Sequence, residues 1–545
     1  MGQHTSPKIN SPKIWGSWQD FWSPSKQVIE DPSYIPTFLE KWNYIVLLKI
    51  FTFFLLLIIA SRLLPNKYWD GQARNYILVM GGLGIWRYSW WFTHAVRAVI
   101  YRRRYSVIAE RADAIWDSGW RPRHLHFMMT TYYEHEEVTI KVMQGVITQI
   151  RELGVPATIW LGSGARYDEI LIERYLRQNT EGLDVRFVMV RQNVSGKRMA
   201  IGLVLRAMNR ANIDKDDIIA FMDGDSILAS GCLRRCAPLF KLDPELQAVT
   251  TDEEVLCKGP AWIRYWLTMR FAQRRIAMQS HALSNKVLTL TGRLSIFRAN
   301  HLANMELIQL LENDYLEHWL WGRFRFLSGD DKSTWFYMLT QNAKLLYVPD
   351  AMAYTVEYIE GSGLTRMVEN FRRWSGNMLR NGARALALGP QKVGLFIWWC
   401  VLDQRISMWT MLFSPVMAVL ATIIEPSFII GYILWVSFSR LMLSLVLYCY
   451  AREVNLYFPF ILYFNQLINS MVKVYCLFRL SKQKWANRNN QAAGFENTLL
   501  NRVRNATAFV LTLIYSVGLV LFVASYSGIW EVPGIGALAN ARLHF

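Results

Sequence analysis

One pair of aspartates follows a run of apolar residues closely enough to form a ligand site. Asp223 and Asp225 come directly after IIAFM, in the motif DGD. Two carboxylates on one turn offer hard oxygen ligands to a divalent cation, and ligands collect at the carboxyl ends of sheet strands. A solvated turn is the commoner explanation of Asp-x-Asp alone. The apolar run before this one favours a site for Mg²⁺ or Mn²⁺.

A second pair of aspartates, Asp330 and Asp331, lies in the motif FLSGDDKSTW. Adjacent carboxylates can raise the pKa of one member, which suits a general base in catalysis. The same motif is also good helix-capping sequence, so a surface turn or N-cap is the alternative.

Two basic motifs have the chemistry to bind a diphosphate. In NVSGKRMAIG, Lys197 and Arg198 begin a helical pattern, and cations beside a helix N-terminus can hold phosphate. In NFRRWSGN, Arg372 and Arg373 offer guanidinium forks, while Trp374 can stack on a sugar or base. A surface loop and an amphipathic membrane-surface helix are the simpler explanations of the two motifs.

The elements that must position these residues lie between about residues 105 and 392. Short strand-like runs there alternate with helical patterns: HLHFMMTTYY, ATIWLG, VRFVMVR and IIAFMDGD. This alternation predicts βαβ units around a mostly parallel sheet, and so an α/β fold class. The later run KVLTLTGRLSIFRA predicts another pair of strands.

The composition indicates a membrane protein that carries a soluble part. Of the 545 residues, 52% are hydrophobic and only 19% are charged. Apolar stretches at about 44–64, 77–100, 397–424, 427–450 and 506–528 predict five membrane crossings. The run 455–478 is interpreted as an interfacial helix instead, because a crossing there would place a basic loop outside.

The net charge of +18 suits an anionic membrane face or a polyanionic substrate or product. Arg102, Arg103 and Arg104 follow the second apolar stretch, so the positive-inside rule puts the following domain in the cytoplasm. No nucleic-acid motif is present, and no nucleic-acid partner is expected.

Three arginines fall inside apolar stretches: Arg87, Arg405 and Arg440. They could line a path for a polyanion, or pair with Asp403 or cap helix ends; both interpretations are open. The six cysteines are scattered and form no CxxC pair, which fits a reducing compartment.

Taken in order, these motifs resemble the inverting family 2 glycosyltransferases, in particular the processive synthases of cellulose, hyaluronan and alginate. The resemblance implies a cytoplasmic GT-A-type glycosyltransferase domain flanked by N- and C-terminal transmembrane helices. It implies that Asp223 and Asp225 bind the metal, that Asp331 is the base beside Asp330, and that the NFRRW motif grips the diphosphate. Asn370 stands where the family has Gln, so the role of that position is open.

Further stretches resemble the mannuronan synthases of alginate-producing bacteria, among them ENDYLEHWLWGRFRFLSGDDKSTWF, LLYVPDAMAYTVE and LDQRISMW. This resemblance spans about residues 86–488. It implies polymerisation of mannuronate from GDP-mannuronate, export of the chain across a bacterial inner membrane, and a cyclic di-GMP-binding co-polymerase subunit and export machinery as partners. UDP-sugar synthases carry Asp-Asp-Gly where this chain has TIWLGSGA, which favours guanine over uracil.

Arg293, in TGRLSIF, is the candidate for binding the sugar carboxylate, with an ion pair to Glu253 or Glu254 equally open. The full set expected to bind the nucleotide sugar is Thr131, Glu134, Lys197, Arg198, Asp223, Arg293, Arg372, Arg373 and Trp374.

The expected organisation is an N-terminal cytoplasmic segment (1–43), two transmembrane helices (44–100), the cytoplasmic catalytic domain (101–392), and transmembrane and interfacial helices with a short tail (393–545). Three alternatives remain. They are a hyaluronan-, cellulose- or other glucan-type synthase that uses a UDP-sugar, a transporter or channel with a cytoplasmic domain, and a non-processive transferase that glycosylates a lipid.

Overall fold

An eight-stranded sheet forms the centre of the domain that follows the first apolar stretches. A computed structural model describes residues 42, 44–62, 74–192, 196–359, 361–485 and 491–526. The expected N-terminal segment 1–43 lies outside the described residues except for residue 42. The strands of the central sheet follow the order β3-β2-β1-β4-β7-β6-β10-β5.

The described chain contains twelve strands and sixteen helices. The strands are β1 (Leu125–Thr131), β2 (Ala157–Ser163), β3 (Val185–Arg191), β4 (Ile218–Asp223), β5 (Ser226–Leu228), β6 (Leu246–Lys258), β7 (Ser295–Arg298), β8 (Tyr315–His318), β9 (Gly322–Arg325), β10 (Lys344–Tyr358), β11 (Gln483–Trp485) and β12 (Gln491–Ala493). The helices are α1 (Tyr44–Arg62), α2 (Arg74–Asp117), α3 (Glu136–Leu153), α4 (Arg166–Asn179), α5 (Lys197–Arg210), α6 (Cys232–Leu242), α7 (Ala261–Ala282), α8 (Ala299–Leu302), α9 (Met305–Glu312), α10 (Asp330–Thr340), α11 (Gly363–Ala387), α12 (Gly389–Val393), α13 (Leu395–Ile424), α14 (Phe428–Tyr450), α15 (Phe458–Leu477) and α16 (Leu499–Tyr526).

The four strands that the sequence predicts in the first half of the domain are confirmed. β1, β2, β3 and β4 run parallel, and the registers pair Thr131 with Ser163 and Thr130 with Asp223. β1, β2 and β4 are buried along nearly their whole length, with Phe127 and Ile219 fully covered. Burial of each such large apolar side chain stabilises the fold by roughly 1.5–3 kcal/mol. Their carboxyl ends therefore form one firmly supported edge.

The second half of the sheet differs from the expectation. KVLTLTGRLSIFRA was expected to form two strands, but only Ser295–Arg298 is a strand, and it runs antiparallel between β4 and β6. The longest parallel pair is instead β6 with β10, which the sequence did not predict. β10 carries Pro349, and the register of the pair shifts between Val348 and Met352. A proline has no N–H for the ladder, which explains why such a shift falls there.

Among the described residues, four helices are long and apolar enough to cross a membrane: α1, α13, α14 and α16. Their large exposed apolar side chains are what a lipid-facing surface requires. The predicted interfacial segment is the helix α15, which does not meet the same standard and packs between α11, α13 and α14. The five-crossing count remains a prediction, since the stretch 77–100 falls within the continuous helix α2 and is not one of the four.

The charges inside the apolar stretches have protein partners. Arg87 on α2 forms a 2.7 Å ion pair with Asp403 on α13, as the pairing interpretation expected. Arg405 donates to the carbonyl of Leu379, and Arg440 donates to the hydroxyl of Tyr88 at 2.9 Å. The contacts of Arg87 and Arg440 join α2 to α13 and α14, and the contact of Arg405 joins α13 to α11, so the three arginines have a structural explanation.

We expect the β11 region to face the cytoplasm, because the basic segment that contains it follows the interfacial helix α15. Lys484 is exposed and is the position to test. In a cysteine-free background, Lys484→Cys should react with a membrane-impermeant maleimide in inverted vesicles but not in intact spheroplasts. Labelling from the outside of intact spheroplasts would contradict this topology.

Candidate active site

The middle position of the DGD motif lies so close to the neighbouring strand that only glycine, which has no side chain, fits there. Asp223 ends β4, and the Gly224 N–H donates to the Thr130 carbonyl at 2.9 Å. A Cβ at position 224 would lie 2.5 Å from that same oxygen. The glycine therefore lets β4 stay against β1 while Asp223 and Asp225 both project from the carboxyl edge of the sheet.

Lys197 joins the two aspartate pairs. It is the first residue of α5, and its Nζ lies 2.6 Å from Asp223 Oδ1 and 2.9 Å from Asp330 Oδ2. Its side chain is only 9% exposed. Burial alone lowers the pKa of Lys197, but the two carboxylates outweigh it and raise the pKa above its ordinary value. The lysine therefore stays charged, and it brings together motifs that are far apart in the sequence.

The two aspartates of the GDD motif have different electrostatic surroundings. They occupy the first turn of α10, directly after Gly329, whose φ is 89°. The motif therefore starts a helix, as the helix-capping alternative expected. Burial tends to raise the pKa of Asp330, but Lys197 and Arg198 hold it below its ordinary value. Burial and the repulsion of Asp330 raise the pKa of Asp331 instead. Asp331 thus has the properties expected of a general base.

A second charged group borders this cluster on β6 and α7. The buried carboxylate of Glu253 lies 2.7 Å from Arg274 and 3.1 Å from Arg293, and it accepts a 2.6 Å hydrogen bond from Thr291. Burial would raise the pKa of Glu253, but the two arginines lower it below its ordinary value. The predicted ion pair of Arg293 is therefore present. Arg274 was missed, although three consecutive acids in an apolar strand, TTDEEVL, signal buried cations nearby.

The NFRRW motif lies on α11, and its two arginines separate. Arg372 is exposed and sits over the ring of Tyr475 on α15, away from the aspartates. Arg373 is within electrostatic reach of Asp331; burial lowers its pKa while Glu357 and Asp331 oppose that effect. Of the two, Arg373 lies nearer the aspartates, and its role toward a diphosphate stays a prediction.

The motif's tryptophan faces the catalytic domain and not lipid. The Trp374 ring lies against Trp266 at a centroid distance of 6.0 Å, and Arg270 sits 5.7 Å from it. Asn370 is buried and accepts a long 3.4 Å contact from Arg373. These contacts do not test the alternative of a membrane-surface helix for this motif, and that interpretation stays open.

Three expected ligand residues are less well placed. Arg198 is buried and directed away from the aspartates, donating to Leu311 O, Ser333 Oγ and Asp314 Oδ2. Its partners point to a positioning role and not to direct phosphate contact. Thr131 is buried and donates to Asp168 at 2.9 Å. Glu134 is half-buried beside the end of β1, and its assignment stays a prediction.

The turn after β2 lacks an acid, but an acid still reaches this edge of the sheet. Asp168, in the first turn of α4, is completely buried against Thr131. Glu169 beside it is also buried and pairs with Arg191. The sequence analysis considered only the turn after β2 and therefore missed Asp168. This residue lies five positions after the strand, in a helix that folds back over the edge of the sheet.

Comparisons with known proteins agree with this architecture. Residues 122–377 match the family model described as Glycosyltransferase like family 2. The protein named Glycosyltransferase alg8 of Pseudomonas syringae pv. tomato is 35% identical over 479 residues, which cover 84% of this chain and 96% of the relative. The Azotobacter vinelandii protein of the same name is 35% identical over 490 residues, covering 87% and 97%.

Among solved structures, a mannosyltransferase from Pyrobaculum calidifontis in complex with GDP-Man and Mn²⁺ has a TM-score of 0.36 and 13% identity. It covers 80% of this chain and 99% of that one. That likeness is too low to support an inference.

An α/β sheet with acids at its carboxyl edge, the family match and flanking apolar helices together define a membrane-associated family 2 glycosyltransferase with a GT-A-like fold. Within that class, the chain belongs to the Alg8 glycosyltransferases. The family predicted from the motifs is therefore confirmed, and the comparisons do not support the alternative of a transporter.

We expect Asp331→Asn to reduce polymer synthesis by about 10²–10⁴-fold while the chain still binds nucleotide, because the amide cannot accept a proton. In the wild type, kcat/KM should decline as the pH falls through the raised pKa of Asp331, above the range where an ordinary aspartate titrates. Steady-state rates across pH measure both effects. Asp216→Asn, which alters a highly exposed acid, is the control. Turnover near the wild-type rate in Asp331→Asn would remove this residue from the chemistry.

Proposed function

We propose that this chain polymerises mannuronate from GDP-mannuronate at the cytoplasmic face of a bacterial inner membrane, by a processive inverting transfer, and passes the chain through its own membrane helices. The observation that carries the proposal is the buried Lys197 bridge between Asp223 and Asp330, with Asp331 beside it, in a member of the Alg8 family. This arrangement supplies a base and a diphosphate-binding edge in one place.

The transfer is a direct displacement at the anomeric carbon of the donor sugar. Asp331 takes the proton from the hydroxyl at the chain end, and that oxygen forms the new bond to the carbon. The bond from the carbon to the diphosphate oxygen breaks, and its electron pair leaves with the nucleoside diphosphate. In this proposal, the positive charges of Lys197 and Arg373 stabilise the negative charge that develops on the leaving group.

The acidic edge fits a divalent cation. Asp225 Oδ1 is buried and has no hydrogen-bond partner among the described residues, and Asp223 lies beside it. Burial, opposed by Lys197, and the repulsion of Asp225 and Asp330 raise the pKa of Asp223 to about 6. A cation would relieve this repulsion between hard oxygen ligands. We propose that Asp223 and Asp225 hold Mg²⁺ or Mn²⁺, which would offset charge on the diphosphate.

Removal of the metal should stop synthesis. Chelation with EDTA should abolish incorporation of radiolabelled sugar in membranes, and Mg²⁺ or Mn²⁺ should restore it. Asp225→Ala should lower the rate at least tenfold and raise the metal concentration needed for half-maximal activity, because one carboxylate ligand is lost. Full activity of Asp225→Ala at the wild-type metal concentration would mean that the DGD motif is only a structural turn.

The charges near the cluster favour an acidic donor sugar. Glu253 carries one negative charge, while Arg274 and Arg293, both within 3.1 Å of it, carry two positive charges. The group therefore has a surplus positive charge beside the site. Arg293 is also within electrostatic reach of Asp225. A planar guanidinium can bind a carboxylate with two hydrogen bonds, so this group can recognise the carboxylate of a uronate.

The path from the site toward the helices also carries positive charge. Arg270 on α7 lies between Trp374 and Arg274, and burial lowers its pKa to about 10. Arg270 Nε is buried and has no hydrogen-bond partner among the residues that the structure describes. A polyuronate would provide the missing negative charge. Burying a cation without such a partner is unfavourable, which supports a polyanionic product over a neutral glucan.

Donor competition tests the sugar assignment. In wild-type membranes, GDP-mannuronate should outcompete GDP-mannose strongly, and no UDP-sugar should be polymerised. Arg274→Ala and Arg293→Ala should each reduce the preference for GDP-mannuronate over GDP-mannose by roughly tenfold or more. Loss of an arginine that binds a carboxylate costs about 2–5 kcal/mol of binding free energy. Arg186→Ala, on the exposed side of β3, is the matched control. Efficient use of a UDP-sugar by the wild type would overturn the assignment and favour the glucan- or hyaluronan-type alternative.

The expected partners rest on the family alone. They are a cyclic di-GMP-binding co-polymerase subunit and the export machinery. Co-purification of the full chain with a cyclic di-GMP-binding membrane protein would support this part of the proposal.

A further inference from the structure

Two histidines and a cysteine from three different helices meet where the catalytic domain joins the C-terminal helices. They are His94 of α2, His281 of α7 and Cys400 of α13. One possible ligand atom from each lies within 4.8 Å of the other two. His281 and Cys400 are each 4% exposed. None of the three belongs to the aspartate cluster, and the transfer reaction does not use them.

The walls around these side chains include several aromatic and aliphatic residues. Trp90 and Phe396 lie against His94 at centroid distances of 4.9 and 5.6 Å, and Val401 and Trp335 belong to the same hydrophobic cluster. Such walls offer few hydrogen bonds to imidazole nitrogens. His281 Nδ1 is buried and has no hydrogen-bond partner in the described part of the chain. A buried polar atom of this kind is costly unless something binds it.

The hydrogen bond of His94 orients its ring as in a metal ligand. His94 Nδ1 lies 2.9 Å from Ser280 Oγ, which leaves Nε2 available. Ligating histidines usually have their other ring nitrogen held by such an outer partner. His281 Nδ1, which has no hydrogen-bond partner among the described residues, is the second nitrogen that a metal could bind.

The donor set decides which cation fits. Two imidazoles and a thiolate are the ligands of Zn²⁺, whereas Mg²⁺ and Ca²⁺ prefer oxygen. Zn–N and Zn–S bonds are about 2.0–2.3 Å long, so atoms 4.8 Å apart must approach by about 1 Å, which side-chain rotation can supply. The positive charges of Arg97 and Lys332 oppose the cation, but Arg97 also attracts the Cys400 thiolate.

We propose that His94, His281 and Cys400 supply three of the four ligands of a tetrahedral Zn²⁺ site that fastens α2 and α7 of the catalytic part to the membrane helix α13. The Arg87–Asp403 ion pair already joins α2 to α13, and a metal here would join the same two helices and α7 as well. It would hold the catalytic domain at a constant position relative to the helices through which the product passes. This inference does not depend on which sugar the enzyme transfers.

Co²⁺ substitution tests the site in the full-length chain, because a thiolate bound to Co²⁺ gives near-ultraviolet charge-transfer absorption that oxygen ligands do not. Chelator-treated protein in detergent should show this absorption on titration with Co²⁺, saturating at one equivalent, and Zn²⁺ should remove it. Zn²⁺ should also raise the Tm of the wild type. Cys400→Ser and His281→Gln should each lose the absorption and the Tm rise.

Two variants serve as matched controls. Cys449→Ser removes the exposed cysteine of α14, and Asp225→Ala removes an oxygen ligand at the other proposed metal site; both should keep the absorption. Absence of thiolate absorption in the wild type, or its persistence in Cys400→Ser, would overturn the proposal and leave the three residues as packing. If Cys400→Ser does not purify as a single species, Cys400→His tests the site instead. It should retain one Zn²⁺ by elemental analysis while losing the thiolate absorption, and loss of the Zn²⁺ would count against the site.

Discussion

The ammonium group of Lys197, buried between Asp223 and Asp330, is the interaction on which the active site depends. One positive charge there offsets two carboxylates that would otherwise repel each other in a poorly solvated edge of the sheet. Removing one partner from a buried ion pair costs about 3–5 kcal/mol, because the remaining charge is left without compensation. The lysine thus makes it possible for metal-type ligands and a base to occupy neighbouring positions.

Arg198, the next residue along the chain, also holds α5 against α10, through different partners. Arg198 binds Asp314 and Ser333, and Arg384 of α11 binds Asp314 from the other side. Lys197 and Arg198 therefore hold the start of α5 against the start of α10 by two separate contacts. This is why the GDD motif can begin a helix and still be buried, and why Asp331 faces an environment that raises its pKa.

Arginines of α7 and α2 lie at the connection between the catalytic domain and the membrane helices. α7 contributes Arg270, Arg274 and Arg275, and α2 contributes Arg87. Arg275 is fully paired with Asp252 and Glu254, whereas Arg274 shares Glu253 with Arg293. The fully paired Arg275 stabilises the junction.

The resemblance of the motifs to a known family predicted the class of protein, while local periodicity predicted the first four strands. The apolar run before DGD predicted a buried strand, and the GDD motif allowed a helix start as the alternative to a catalytic pair; the strand and the helix start are both present. What the local pattern could not supply is how distant charges pair. The β6–β10 strands, the roles of Arg274 and Asp314, and the separation of Arg372 from Arg373 follow from long-range packing.

The choice between a ligand and a structural partner was likewise made by the tertiary structure. Arg198 looked like a phosphate ligand and Arg293 like a carboxylate ligand, yet both have buried acids within reach. Each acid comes from an element far away in the chain, since Asp314 precedes β8 and Glu253 lies on β6. A guanidinium has the same chemistry in either role, so residue type and spacing determined that cations would be present. Only the packing of the sheet against α5, α7 and α10 decided which charges they meet.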